Sequence, residues 1–214
     1  MRLRDSYDIP AGIQQQPHSK AFGEFLWNWF GDSLGLTRGD VDLAFLNDLT
    51  TEERETAKDL LRRNLKSKHT HIIEGVAQLG DVTAAKELRA MLEGESSASR
   101  KLTIAGSLWR LNKDEAFVKC LREMIASNNP TLKQAHFHQI LWLGDERAIE
   151  MLLDSLRDDD SFVRYVALAR LNGLEFNRRF VVPANQMPHG PDYYESRRQD
   201  EDFRRFLMTH LRED

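Results

Sequence analysis

The sequence predicts an all-α protein built as a stack of about four helix pairs, with capping helices at both ends. The clearest evidence is the segment from Phe162 to Leu174, where apolar residues recur at helical spacing, as in a helix with one buried face. The same pattern recurs upstream at a nearly constant period. A second amphipathic segment follows each of the first three copies, so each unit contains two helices.

The period is clearest at the leucine that ends the first helix of each unit. These leucines are separated by 32, 32 and 31 residues, and they are Leu79, Leu111, Leu143 and Leu174. The position three before each is also apolar, as Val76, Leu108, Ile140 and Leu171. The second helices share a matching leucine, at Leu88, Leu121 and Leu152. A fixed period of this length is the signature of a repeat architecture.

The repeated unit resembles a HEAT-like repeat, in particular the short bacterial kind. The residues that carry the resemblance are Val163-Arg164, Ala167, Leu171 and Leu174, with Leu-Gly-Asp starting at Leu79 and Leu143. The resemblance covers roughly residues 50–174 and implies a HEAT-like α-solenoid. Such folds host many roles, so function must be inferred from the site. His136 replaces a small apolar residue, and we expect it to loosen the packing of the third unit.

The chain divides into three parts on this interpretation. Residues 1–49 form an N-terminal arm and aromatic capping helices, 50–174 the four repeats, and 175–214 a Pro-containing connection and a C-terminal capping helix. Before the repeats, the sequence predicts helices at Ser19–Phe30 and Asp40–Asp48. The repeat region opens with a capping box of Thr50 with Glu53 and a helix from Thr51 to about Lys66. After the repeats it predicts a final helix Tyr193–Arg212, with Phe203, Phe206, Leu207 and His210 or Leu211 on one side.

The aromatic helix Ser19–Phe30 has two possible roles. Four of its apolar residues fall on one face, namely Phe22, Phe25, Leu26 and Trp29. We favour a cap, because the first repeat of a solenoid has no neighbour to cover it. The alternative is an anchor for a partner, for which Trp27 and Phe30 are the better candidates because they lie off this face.

Composition restricts the function classes. The net charge of −4 argues against a protein that binds nucleic acid through general phosphate attraction. Cys120 is the single cysteine, which favours a reducing compartment, the cytoplasm, and a buried inert thiol. The N-terminus carries no signal-peptide pattern, and no stretch approaches the roughly 18 apolar residues of a membrane span.

No catalytic or metal-binding motif is present in the sequence, so we expect no catalytic residue, no metal and no cofactor. The histidine pairs His69/His71 and His136/His138 are two residues apart, and such residues point away from each other on a helix. Asp158, Asp159 and Asp160 lack the ligand spacing of a calcium loop. They precede a helix, where carboxylates favour its start.

Equivalent positions of stacked helices line up in columns, and we expect these columns to bind a partner on the concave face. The candidates are residue types that dominate binding energy at interfaces, with one carboxylate: Glu74, Trp109, Arg110, His138, Trp142 and Tyr165. Trp109 could equally form a groove floor or fill the core. For Trp142 we favour the core.

The favoured function is a non-catalytic protein-binding solenoid, either an adaptor or an immunity-type protein that neutralises a bacterial toxin. The partner would be another protein. Two alternatives come from other HEAT-like proteins. One is a tetrapyrrole (bilin) lyase-like subunit, which needs a chromophore-sized groove. The other is a HEAT-like DNA glycosylase, which Trp109, Trp142 and Asp145 could imitate, although the net charge opposes it.

Overall fold

The computed structural model describes residues 6–31, 43–175 and 187–211. Within them the regular elements are helices. The chain divides into two compact units, Met1–Asp114 and Glu115–Asp214. The first contains α1 (Lys20–Phe30), α2 (Thr51–Asn64), α3 (Thr70–Gln78), α4 (Ala85–Glu93) and α5 (Ala98–Asn112). The second contains α6 (Ala116–Ile125), α7 (Pro130–His136), α8 (Glu146–Ser155), α9 (Ser161–Glu175), α10 (Pro191–Ser196) and α11 (Glu201–Leu211).

Short 3-10 helices extend or connect these elements. They are Ile13–Gln15, Leu43–Asp48, Leu65–Ser67, Val82–Ala84 and Phe137–Leu143. The third repeat is irregular, because its first helix begins as the α-helix α7 and continues as the 3-10 helix Phe137–Leu143. The change of helix type occurs at His136, the residue that departs from the repeat pattern. The expected loosening of packing around His136 stays a prediction.

The helices predicted from the repeat period are present. Leu79, Leu143 and Leu174 are buried, as are the matching residues Leu88, Leu121 and Leu152 of the second helices. Leu111 is half-buried. The apolar period therefore corresponds to the side chains that fill the cores of the two units.

The aromatic helix α1 is built into the core of the first unit. Phe22, Phe25, Leu26 and Trp29 are buried, as predicted. Phe30 is buried as well, which corrects its interpretation as a contact residue. It packs on Tyr7, which the polar N-terminal arm brings against α1. Trp27 is 40% exposed.

Trp29 determines how closely α1 approaches α3. Its indole Nε1 donates a hydrogen bond to the carbonyl oxygen of His71 at 3.1 Å. A Cβ atom added at Gly75 would lie 2.2 Å from this Nε1, closer than packed heavy atoms tolerate. The glycine therefore makes room for the tryptophan.

Glu53 joins the starts of two helices. Its carboxylate accepts hydrogen bonds from the backbone N–H and hydroxyl of Ser19, the N-cap of α1, at 2.7 and 3.0 Å. It also accepts one from the backbone N–H of Thr50, which completes the predicted capping box. Burial opposes ionisation of Glu53, but the hydrogen bonds from Ser19 and Thr50 outweigh it and lower the pKa of the carboxyl.

The predicted final helix is two helices. α10 ends at Ser196, and α11 begins after Asp200, whose carboxylate accepts from the backbone N–H of Phe203 at 3.0 Å. This cap starts a new helix with its own register, in which Phe203, Leu207 and Leu211 are buried. Phe206 is 44% exposed, which corrects its place in the predicted apolar face.

Several predicted segments lie wholly or partly outside the described residues. They are most of residues 31–39, where three glycines predict a loop, the first residues of the predicted helix Asp40–Asp48, residues Phe180, Val181 and Val182 of the Pro-containing connection, and Arg212. None of the described helices is long and apolar enough to cross a lipid bilayer.

Replacing Gly75 by alanine should destabilise the protein. Gly→Ala inside a helix ordinarily stabilises by up to about 1 kcal/mol, but here the new methyl group would overlap Trp29. We expect the free energy of unfolding to fall by about 1–3 kcal/mol in urea denaturation. Gly94→Ala is the control, because a Cβ there lies 3.8 Å from its nearest neighbour. Equal stability of Gly75→Ala and the unmodified chain would contradict the close approach.

Glu53→Gln should weaken the start of α1 and α2, because the neutral amide replaces a charged acceptor. We expect a loss of about 1 kcal/mol at pH 7 by thermal or urea denaturation. The pKa of Glu53 is lowered on folding from its ordinary 4.5. Its stabilisation is therefore present above about pH 4.5 and is lost as the pH falls through the folded-state pKa. The two proteins should converge in acid, and a stability difference independent of pH would count against this role.

Candidate functional site

The candidates of the first unit are Glu74 on α3 and Trp109 and Arg110 on α5. Trp109 is only 3% exposed, so it fills the core, and the expectation of an exposed groove floor is corrected. Arg110 is exposed and Glu74 is half-buried. Burial raises the pKa of the Glu74 carboxyl, while the charge of Arg110 lowers it in part. Two polar candidates therefore remain on the surface of this unit.

The predicted columns are not uniformly exposed. Gly106 and Ala169, which share a column with Glu74 and His138, are buried. Asn172, in the column of Trp109, is also buried. Repeat register alone therefore does not determine exposure, because each helix is covered on several sides by its own neighbours.

The second unit presents a partly exposed aromatic pair on the 3-10 helix Phe137–Leu143. His138 is exposed and Trp142 is half-buried, and their rings meet edge to face with centroids 5.8 Å apart. The other side of Trp142 stacks on Phe117 of α6 at 6.2 Å. Trp142 thus contributes to packing while its remaining surface faces solvent next to His138.

A second aromatic pair lies on α9, which packs against α7. Tyr165 is 36% exposed, and its ring centroid lies 6.4 Å from that of Phe162, which is 40% exposed. Phe162 is missing from the predicted site. Phe162 lies three residues before Tyr165, so the two share a helix face that does not contain the buried residues Val163 and Ala167. This spacing is the signal that could have identified Phe162.

His136 directly precedes the 3-10 helix Phe137–Leu143 and differs from its neighbour His138. It is half-buried, and burial lowers the pKa of its imidazole. The neutral ring is favoured there, because a charged imidazolium would lose its hydration. His136 is therefore a poor electrostatic contact for a charged partner, whereas His138 is exposed.

The aspartates before α9 have two roles, because one caps the helix and another forms an ion pair. Asp160 Oδ1 accepts from the backbone N–H of Phe162 at 2.8 Å, as the predicted capping role requires. Asp158 instead binds the Lys133 ammonium at 2.7 Å, and both side chains are only 10% exposed. Burial opposes ionisation of Asp158, but the bonds from Lys133 and the backbone N–H of Asp160 lower its pKa. The pair stands beside a cavity of about 440 Å³ between the turns that precede α7 and α9.

His69 and His71 do not point away from each other, so that prediction was wrong. Their rings stack with centroids 5.5 Å apart, because His69 is the N-cap of α3 and has extended backbone. Tyr7 completes the cluster, with its hydroxyl 3.0 Å from Nε2 of His71. Within the described residues no group of three or more His, Cys, Asp or Glu side chains is placed to hold a metal ion.

Two further residues bear on catalytic alternatives. Asp145 caps α8 and is held by Arg147, with an Nη2–Oδ2 distance of 2.6 Å. Hydrogen bonds to Asp145 and Glu115 raise the pKa of Arg147. Asp145 is therefore engaged in a structural ion pair.

Cys120 is half-buried, rather than fully buried as expected.

Comparison with known proteins identifies the repeats. Residues 85–172, from the start of α4 into α9, match the family model of HEAT repeats. No curated protein and no solved structure matches the chain significantly. HEAT repeats generally mediate protein–protein interaction and are typically non-catalytic. The match and the helical architecture confirm the predicted fold class, an all-α, HEAT-like α-solenoid. Residues 85–172 therefore contain HEAT repeats, and the helical chain fits a HEAT-like repeat protein.

Proposed function

We propose that this protein is a non-catalytic protein-binding module. The observation that carries the proposal is that its HEAT repeats present two partly exposed aromatic pairs in the second unit, His138/Trp142 and Phe162/Tyr165. Large aromatic side chains gain much from burial at an interface and are frequent hot spots. Their present exposure leaves that gain available to a partner.

The two pairs suit a protein partner because their positions are already held. Trp142 is fixed on Phe117, and Phe162 lies at the capped start of α9. Side chains that are already ordered lose little conformational entropy on binding. Glu74 and Arg110 are a second candidate surface, on the first unit.

The partner we propose is a basic protein, since the chain carries a net charge of −4. This chemistry suits either an adaptor or an immunity-type protein that neutralises a toxin. The single cysteine supports a reducing compartment, so we expect the protein to act in the cytoplasm. No cofactor is required for this role.

The catalytic alternatives receive less support. A DNA glycosylase would need exposed aromatic residues beside a reactive carboxylate. Of the residues that could imitate it, Trp109 is buried and Asp145 is paired with Arg147. A bilin lyase-like role would need a groove for a tetrapyrrole, and no observation on the described surface favours it.

The test begins with affinity capture of the tagged chain from its native cells and identification of the bound protein by mass spectrometry. The dissociation constant is then measured for Phe162→Ala with Tyr165→Ala. We expect it to rise at least about tenfold, because two hot-spot side chains are lost.

Phe206→Ala is the matched control, because Phe206 is a similarly exposed phenylalanine of the same unit that lies outside the aromatic pairs. We expect it to change the affinity less than about twofold. Capture of nucleic acid or pigment without protein would contradict the proposal. Equal losses in the double variant and the control would contradict the proposed surface.

A further inference from the structure

A row of three carboxylates runs along one face of α8. Glu146, Glu150 and Asp154 are each four residues apart, so they stand above one another on the helix. Like charges at this spacing repel, which destabilises an isolated helix. Cations from outside α8 relieve this repulsion.

Two arginines of the C-terminal segment supply these cations. Arg204 of α11 binds Glu146 through Nη2 at 2.6 Å and Nε at 3.0 Å, and its other terminal nitrogen contacts Glu150. Arg198, between α10 and α11, binds Glu150 at 3.3 Å and also contacts Asp154. Both arginine side chains are only 16% exposed.

Besides Arg204, α11 contributes a short stripe of apolar side chains. Phe203, Leu207 and Leu211 of α11 are buried in the second unit. On the other side of α11, a cavity of about 630 Å³ opens next to Glu146 and is lined by Asp145, Glu146, Glu201, Arg204, Arg205, Met208 and Thr209. Solvent thus reaches the end of the carboxylate row directly beside the guanidinium that neutralises it.

We propose that α10 and α11 form a releasable clasp on α8, and that the carboxylate row beneath it receives an arginine-bearing segment of the partner. The guanidinium groups already bound there show which ligand chemistry the row accepts. Planar guanidinium groups match carboxylates in geometry as well as charge. The inference rests on the proposed function only in naming the partner as basic, and the clasp itself can be tested without a partner.

The clasp also has a physical basis for local opening. Single helices can open locally with less free energy than unfolding of the whole fold requires. The carboxylates of the row are themselves 38–62% exposed, so salt screens the pairs from the solvent side. Opening of α11 should therefore precede unfolding of the second unit.

The first test measures amide hydrogen exchange in the full chain with Arg198→Gln and Arg204→Gln together. These substitutions keep much of each side chain but remove its charge. We expect exchange in residues 201–211 to accelerate at least tenfold while exchange in 116–125 stays unchanged. Arg205→Gln is the control, because Arg205 is 74% exposed and its ion pair is with Asp202, three residues away on the same helix. Unchanged exchange in 201–211, or equal acceleration in 116–125, would overturn the clasp.

The second test measures binding of a tetra-arginine peptide, with tetra-citrulline as the neutral ligand of the same shape. We expect the double variant to bind tetra-arginine at least fivefold more tightly than the unmodified chain does, and tetra-citrulline to bind neither. Equal binding of tetra-arginine to both proteins would overturn the receptor role of the row. Neither test uses the captured partner or the aromatic pairs, so failure here is distinguishable from failure of the proposed function.

Discussion

The contact between Trp29 and Gly75 is the constraint on which the first unit depends. The indole fills the space that a side chain at position 75 would occupy and donates its hydrogen bond to the carbonyl of His71. This contact holds the aromatic helix α1, which lies outside the repeats, against α3. The largest side chain of α1 is thus used for packing and hydrogen bonding within the first unit, as the predicted role of a cap would require. Its exposed Trp27 is the exception.

Much of the fold could be predicted because it is local and periodic. The recurring leucines place buried side chains such as Leu88, Leu121 and Leu152 correctly, since helical periodicity depends only on neighbouring turns. The capping box of Thr50 with Glu53 was predictable for the same reason. The second partner of Glu53, Ser19, was not, because it lies 34 residues away.

The candidate site was predicted less well, because exposure depends on which neighbours cover a helix. Trp109 lies in the core, and Phe162, which was not predicted, lies on the surface. The ion pairs between Arg204 and Glu146 join residues 58 positions apart, and no local pattern specifies such a pairing. The sequence contained the carboxylate row and the arginines but not their contact. A binding surface is equally hard to predict from local sequence patterns, because it consists of the residues that long-range packing leaves exposed.

The measurement that tests the central claim most directly is an amide hydrogen-exchange footprint of the chain in complex with its captured protein partner. If the aromatic pairs form the interface, residues 137–143 and 161–168 should be protected on binding, with smaller changes in the first unit. Protection confined to residues 20–30 would contradict the account, because it would mean that the partner binds the aromatic helix α1 and not the HEAT repeats.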